Sequence, residues 1–451
     1  MHKGLQNPRG RPTHNEAVLP SQERQADPDV SPPASRSEVD AEDCSESQLL
    51  QELVDEIIDL CAGDQPTLLA CCRTARSWVE RSQMHIHRSI RLRLAYLLNN
   101  PARYSSSQVA KYVRRLNLGA LPSGPKRGVQ DNPSALNRRK GAWTVLRRLT
   151  HLQELVISTL DIQYSHFPFV ISNIRTTFTN ITLLNIPNAQ FRTFAHFGTF
   201  ITAFPNISRL ELKKLGWYPG DQTLPVDCKQ AAESFAARLQ QLAILSYGSG
   251  DMSTPVCEEF VRLIRQPGVL SVLHTLRLCN WDMVLSTIAI SSLFEFCGPS
   301  LTHLELPIIA PGYFFPHRLD EVAEMGFYNL VRLHELTFTT RAYYSDIIPS
   351  CLRFDHGKLL PAILSRLGSA HLRRIALSCL HVPPDEIHNA IKFDAVDEVL
   401  SQPQFGSLQR LEIVFERGDE RTNSALEESV KALMPQAMAR GIVYIEFGKE
   451  H

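Results

Sequence analysis

The sequence predicts an α/β chain in which a small N-terminal helical module is followed by an irregular array of strand–helix units sharing one parallel sheet. Three observations carry this. A six-residue pattern of the form L-x-x-L-x-L, with Ile, Val or Phe allowed at the apolar places, returns eleven times after residue 112. Several intervals between copies hold an apolar stripe of helical period, and one strand alternating with one helix builds a parallel sheet. Ahead of the repeats, residues 49–78 read LLQELVDEIIDLCAGDQPTLLACCRTARSW, two short amphipathic helices.

Composition sets the frame. With 451 residues, 43% of them apolar, the chain is long enough for one large core or several domains. Lys plus Arg equals Asp plus Glu at 47 each, so global charge points to neither nucleic acid nor an anionic membrane as the main partner. Residues 1–46 are rich in Pro, Ser and acids and poor in aromatics, which predicts a disordered tail. That tail has no apolar run like a signal peptide, and no later segment is apolar for the roughly 18 residues a membrane helix needs. An intracellular protein, cytoplasmic or nuclear and without membrane contact, is therefore expected. The ten cysteines are scattered with no CxxC pair, so neither a disulfide framework nor a metal site is expected. Without a secretory signal, the sequons at Asn180 and Asn206 have no claim as glycan sites.

The first helix is predicted from Leu50, Leu53, Val54, Ile57, Ile58 and Cys61, spaced by threes and fours along one stripe. Gly63 and Pro66 end it, and Thr67 is placed to cap a second helix carrying Leu68, Leu69 and Cys72. Two such helices are too small for a core of their own, so the module, residues 47–95, must bury its stripe on the end of the array or in a groove on a partner. Residues 96–150 read as a basic linker and first repeat region. Within 99–150 there are eleven Lys or Arg and one acid, Asp131, and PSGPKRG and DNPSALNRRK read as loop. No aromatic interleaving accompanies that charge, so a solvated insert is expected in preference to a nucleic-acid site.

From there to residue 451 the array is predicted. Its copies are VRRLNL from Val113, LQELVI from Leu152, ITLLNI from Ile181, ISRLEL from Ile207, LQQLAI from Leu239, LHTLRL from Leu273, LTHLEL from Leu301, LHELTF from Leu333, LRRIAL from Leu372, LQRLEI from Leu408 and IVYIEF from Ile442. Helical patterns fill intervals at CEEFVRLI, AISSLFEF, LLPAILSRL and EIHNAIKFDAVDEVL. With the apolar places inward, the outward positions form a mixed-sign face including Arg115, Asn117, Glu154, Arg209, Glu211, Lys213, Arg277, His303, Glu305, Glu335, Arg374, Arg410 and Glu412, which suits a protein partner better than a phosphate backbone. Loops leaving the strand ends bring Trp217, Tyr218, Tyr247, Trp281, Tyr313 and Tyr343, candidate anchors for a bound protein. No catalytic constellation is found: GSG at 248–250 lacks the spacing of a phosphate loop, and the pairs His85 with His87 and Asp355 with His356 lack partners.

The repeated hexapeptide resembles leucine-rich repeat solenoids over about residues 110–450. It departs from them where Leu160, Leu215, Trp281 and Ile309 occupy the places of an Asn or Cys whose side chain links neighbouring repeats, which predicts an irregular solenoid. LLQELVDEIID followed by PTLLACCRTARSW is similar to an F-box, the module that docks on the Skp adaptor of SCF ubiquitin ligases, and HIHRSIRLR resembles the segment after the F-box in many fungal members. On that resemblance Leu49, Leu50, Glu52, Leu53, Ile57, Ile58, Leu68, Leu69 and Trp78 fall on adaptor-binding positions. Departures lie at Leu50 in a Pro place, at Arg73 and Thr74 in an apolar pair and at Ala75 in a Cys place; a polar pair there predicts weaker packing of its helix. The resemblance implies a non-catalytic, cofactor-free substrate receptor that binds the Skp adaptor and cullin complex and an unknown protein substrate. The alternative is a non-ligase scaffold whose first helices cap the solenoid.

Overall fold

The computed structural model describes residues 51–99, 107–121, 133–161, 167–191, 194–212, 215–217, 239–245, 272–279, 287–310, 325–342, 356–379 and 391–448. Among the described residues four helical pieces come first: α1 (Gln51–Leu60), α2 (Gln65–Thr74), a 3-10 turn (Arg76–Trp78) and α3 (Val79–Arg88). The strands are β1 (Ser89–Leu92), β2 (Arg115–Ala120), β3 (Glu154–Asp161), β4 (Leu183–Ile186), β5 (Ala189–Phe191), β6 (Arg209–Leu212), β7 (Leu215–Trp217), β8 (Gln241–Leu245), β9 (Thr275–Cys279), β10 (His303–Ala310), β11 (Glu335–Ala342), β12 (Arg374–Cys379), β13 (Arg410–Phe415) and β14 (Val443–Phe447). All pairings among them are parallel. Twelve of the 14 succeed one another in chain order as a single ladder, and β5 and β7 branch from β3. The α/β class and the parallel sheet are thus as the repeat pattern predicts.

The reason is visible in the register. Leu116, Leu155, Leu184, Leu210, Leu242, Leu276, Leu304, Leu336, Ile375 and Leu411, the fourth residues of ten successive copies, stand side by side across the sheet. These residues are at most 2% exposed, because each strand delivers the same face to the same core. Between neighbours the backbone repeats one motif. The carbonyl of the second residue of a copy accepts the N–H groups of the second and third residues of the next, as Thr182 does from Ser208 and Arg209, and His274 from Thr302 and His303.

Side chains just ahead of the copies add a second link. Asn180 donates to the Thr150 carbonyl at 2.8 Å, Asn206 to Thr179 at 2.7 Å, Ser300 to Leu273 at 2.8 Å and Ser407 to Ala370 at 2.6 Å. Neighbouring repeats are therefore bridged from the residue before the hexapeptide, where the family pattern bridges them from after it. The Asn residues of both sequons have this structural use.

Four expectations need correction. The eleventh copy is shifted: Val443 pairs with Leu411 and Ile445 with Ile413, so the strand begins two residues earlier in phase than IVYIEF suggests. A further copy lies ahead of the first, because Ile90 pairs with Leu116 and Leu92 with Leu118. His87 holds its opening apolar place, which hid it, and the helical module ends at Arg88 instead of residue 95. Finally, PSALNRRK is helical, in the 15-residue helix Pro133–Arg147, whose Trp143 and Leu146 are buried and whose Arg147 bonds Asn173 at 2.9 Å. A Pro in the first turn and a single inward face outweigh the loop-like composition. PSGPKRG lies outside the described residues.

The predicted helical intervals appear as Thr287–Cys297, Leu359–Leu364 and Phe393–Leu400. CEEFVRLI lies outside the described residues. The core runs through the whole ladder from Leu92 to Ile442.

Candidate functional site

The helical module has a small core separate from that of the sheet: Val54, Ile58, Leu68 and Cys71, with Cys61, Trp78 and Ile86 packed against it. On α1, positions 54 and 58 form one stripe, which Cys61 continues in the turn just after the helix. Leu53, Ile57 and Leu60 form another, centred roughly 100° round the helix at 3.6 residues per turn. The first stripe is covered by α2 and α3. The second is not: Leu53 is 46% exposed, Ile57 49% and Leu60 88%, and Leu69 of α2 is 43% exposed. These four make up half of the large exposed apolar side chains among the described residues, within 17 positions of the chain.

Specific contacts orient that stripe. Asp59, next to Leu60, takes a two-pronged bond from Arg81 of α3, with Nε at 2.6 Å, and lies 2.7 Å from His85 Nε2 one turn further on. The Arg81 hydrogen bond, then that of His85, holds the Asp59 carboxyl well below its ordinary range. Asp64, and not Thr67, caps α2: its carboxylate accepts the Thr67 N–H at 3.2 Å and the Thr67 hydroxyl at 2.6 Å. Pro66 sits inside that first turn, where its missing N–H costs nothing. Arg73 and Thr74 are exposed and Thr74 bonds back to the Ala70 carbonyl at 3.0 Å, so the polar pair carries no burial penalty. Glu80 of α3 joins Lys111 at 3.0 Å and the Tyr112 hydroxyl at 3.2 Å, and α3 runs directly into β1.

The sequence-predicted positions separate accordingly. Leu53, Ile57, Leu69 and Glu52 are exposed; Ile58 and Leu68 are buried in the module and unavailable to a partner; Trp78 is half-buried against that core. Leu49 and Leu50 lie outside the described residues. Leu60 was missed, although its spacing of seven from Leu53 and three from Ile57 is the signal that finds it. Of the aromatic positions, Trp217 ends β7, and Tyr218, Tyr247, Trp281, Tyr313 and Tyr343 lie outside the described residues.

On the outer face of the sheet, charges pair across strands. Arg115 meets Glu154 at 3.6 Å, Arg277 meets Glu305 at 3.3 Å, Glu335 lies 3.6 Å from His303 and 3.5 Å from Arg374, and Arg374 reaches Glu412 at 2.6 Å. The mixed-sign row is thus largely self-neutralising. A depression of about 450 Å³ opens on this face around the small Ala243, bordered by Arg209, Glu211, Arg277 and Glu305. Lys213 lies outside the described residues.

Among the described residues no three His, Cys, Asp or Glu side chains gather as a metal shell, and no helix is long and apolar enough to cross a membrane. Burial pushes the Cys297 thiol up to about 12, which disarms it as a nucleophile. No family model matches this chain, and no curated protein matches it either.

Proposed function

We propose that the chain is an F-box-type substrate receptor of an SCF ubiquitin ligase, with its helical module docked on the Skp adaptor and its leucine-rich-repeat-like solenoid facing a protein substrate. The observation that carries this reading is the uncovered stripe Leu53, Ile57, Leu60 and Leu69 on a module whose other stripe is already buried. A capping module would spend its apolar surface on the first repeats; this one turns four large side chains outward, as a helix-in-groove contact requires. The Asp59 contacts with Arg81 and His85 keep the stripe in one orientation, so little ordering cost falls on binding.

The receptor itself performs no bond chemistry. It raises the local concentration of a substrate lysine beside a conjugating enzyme carried by other subunits, a proximity effect. The outer face of the sheet, with its cross-strand ion pairs and its depression at Ala243, is the surface on which the substrate is read.

Co-purification of the full chain with the Skp adaptor and a cullin tests the docking. Leu53→Asp with Ile57→Asp is expected to abolish recovery of the adaptor while the thermal transition of the array is unchanged. Undiminished recovery by that variant, or no recovery by the wild type, removes the ligase reading and leaves an interaction scaffold.

A further inference from the structure

The two edges of the ladder are not alike. At one edge β1 is four residues long, and exposed Arg88, Arg91 and Arg93 surround it, charges that keep a strand edge from recruiting another chain. At the other, β14 lies in the run IVYIEF, with no Lys, Arg or Pro, and β13 is its sole strand neighbour among the described residues. Its inward side chains Val443, Ile445 and Phe447 are packed on the core but only partly buried, whereas Leu411, Ile413 and Phe415 beside them on β13 are at most 2% exposed.

The backbone direction of β14 can be read from two bonds. Ile442 O accepts the Leu411 N–H at 2.7 Å, and Gly448 N–H donates to Phe415 O at 2.8 Å. In a parallel pair, alternate residues turn their N–H and C=O to the same neighbour, so the even-numbered residues of this strand serve β13. Val443, Ile445 and Phe447 then aim theirs at the edge that no strand covers among the described residues.

We propose that this edge pairs with the β14 edge of a second copy of the chain, antiparallel, about a two-fold axis at Ile445. The strand is self-complementary in that arrangement. Ile445 faces Ile445 of the partner subunit, Val443 faces Phe447 of the partner subunit, and all three are the residues whose backbone groups face away from β13, toward the side with no strand neighbour among the described residues. The partly buried apolar row becomes continuous across the junction. On the other face Tyr444 stands opposite Glu446 of the partner subunit, a phenol donor facing a carboxylate acceptor. Arg410 already organises both side chains within one copy, 4.6 Å from the Tyr444 ring and 3.0 Å from Glu446. The contact is isologous and closes at two copies, so it yields a dimer and no filament. It is independent of whether the helical module docks on an adaptor.

Light scattering and sedimentation of the full chain over a concentration series test this. The expected result is a reversible monomer–dimer equilibrium. Tyr444→Glu places like charges opposite each other at both symmetric positions and weakens the dimer by about tenfold. The double variant Y444E/E446R restores it by making those pairs opposite in sign. In the wild type, amides of Val443, Ile445 and Phe447 gain exchange protection as concentration rises, a readout that needs no variant. A chain that is monomeric throughout, or a dimer indifferent to Tyr444→Glu, overturns the proposal.

Discussion

Four buried apolar residues hold the helical module together, whereas the sheet and its covering helices share one core from Leu92 to Ile442. The array spreads its stability over repeated, near-identical interfaces, each strand completing the burial of its neighbour. The module has no such repetition. Its small core leaves a second apolar stripe uncovered, and its fixed geometry depends on polar contacts such as those of Asp59. Small size and an open surface go together: a cluster too small to close on itself retains apolar area for a partner.

Perturbing the two regions in parallel should separate them. The largest effect belongs to the array: Leu276→Ala, at a fully buried place in the middle of the ladder, is expected to cost about 3–5 kcal/mol in a denaturant titration. Ile58→Ala is expected to cost about 2–4 kcal/mol, but locally. Hydrogen exchange should quicken across residues 51–88 and stay unchanged in the strands from β3 onward; equal quickening in both would show one cooperative unit.

Asn206→Ala removes one bridge between repeats and is expected to lower array stability by about 1 kcal/mol, with the module's exchange rates untouched.

Acid should act on the module through Asp59. Its carboxyl is depressed in the folded chain, so the unfolded chain takes up the proton first. The contribution is therefore complete above the ordinary value of 3.8 and is lost as pH falls through the lower folded value. Trp78 fluorescence should report a loosening of the module at acid pH that Asp59→Asn shows already at neutral pH. Least affected of all, Leu60→Gln should change thermal stability by under about 0.5 kcal/mol, since its side chain covers nothing among the described residues.

Much of the fold was legible because the repeat signal is local. A hexapeptide places its fourth and sixth residues on one face of a strand, with the first residue buried in the turn just ahead of it, and ten copies align as their sequences predict. Where a polar residue takes an apolar place the signal fails, as His87 hides β1. Where extra apolar residues extend the run it shifts, as Ile442 does for β14. Helix Pro133–Arg147 was hidden for another reason, since Arg138, Lys140 and Arg147 are on the solvent side of a helix whose other side is core.

The site was legible only to the level of which segment carries it. Spacing alone shows that α1 is apolar over a broad arc, but Leu53 and Val54 are neighbours in sequence and differ only in what packs over them. The contacts that choose between them, Asp59 with Arg81 and His85, join residues 22 and 26 positions apart. By itself the sequence determined the alternation of strand and helix, the parallel class and the presence of a short amphipathic module, because those depend on periods of two and 3.6 residues. Tertiary structure alone decided which stripe of α1 faces solvent, which charges on the sheet neutralise one another and which strands stand at the two ends of the described ladder, because each is set by neighbours that the chain brings together from a distance.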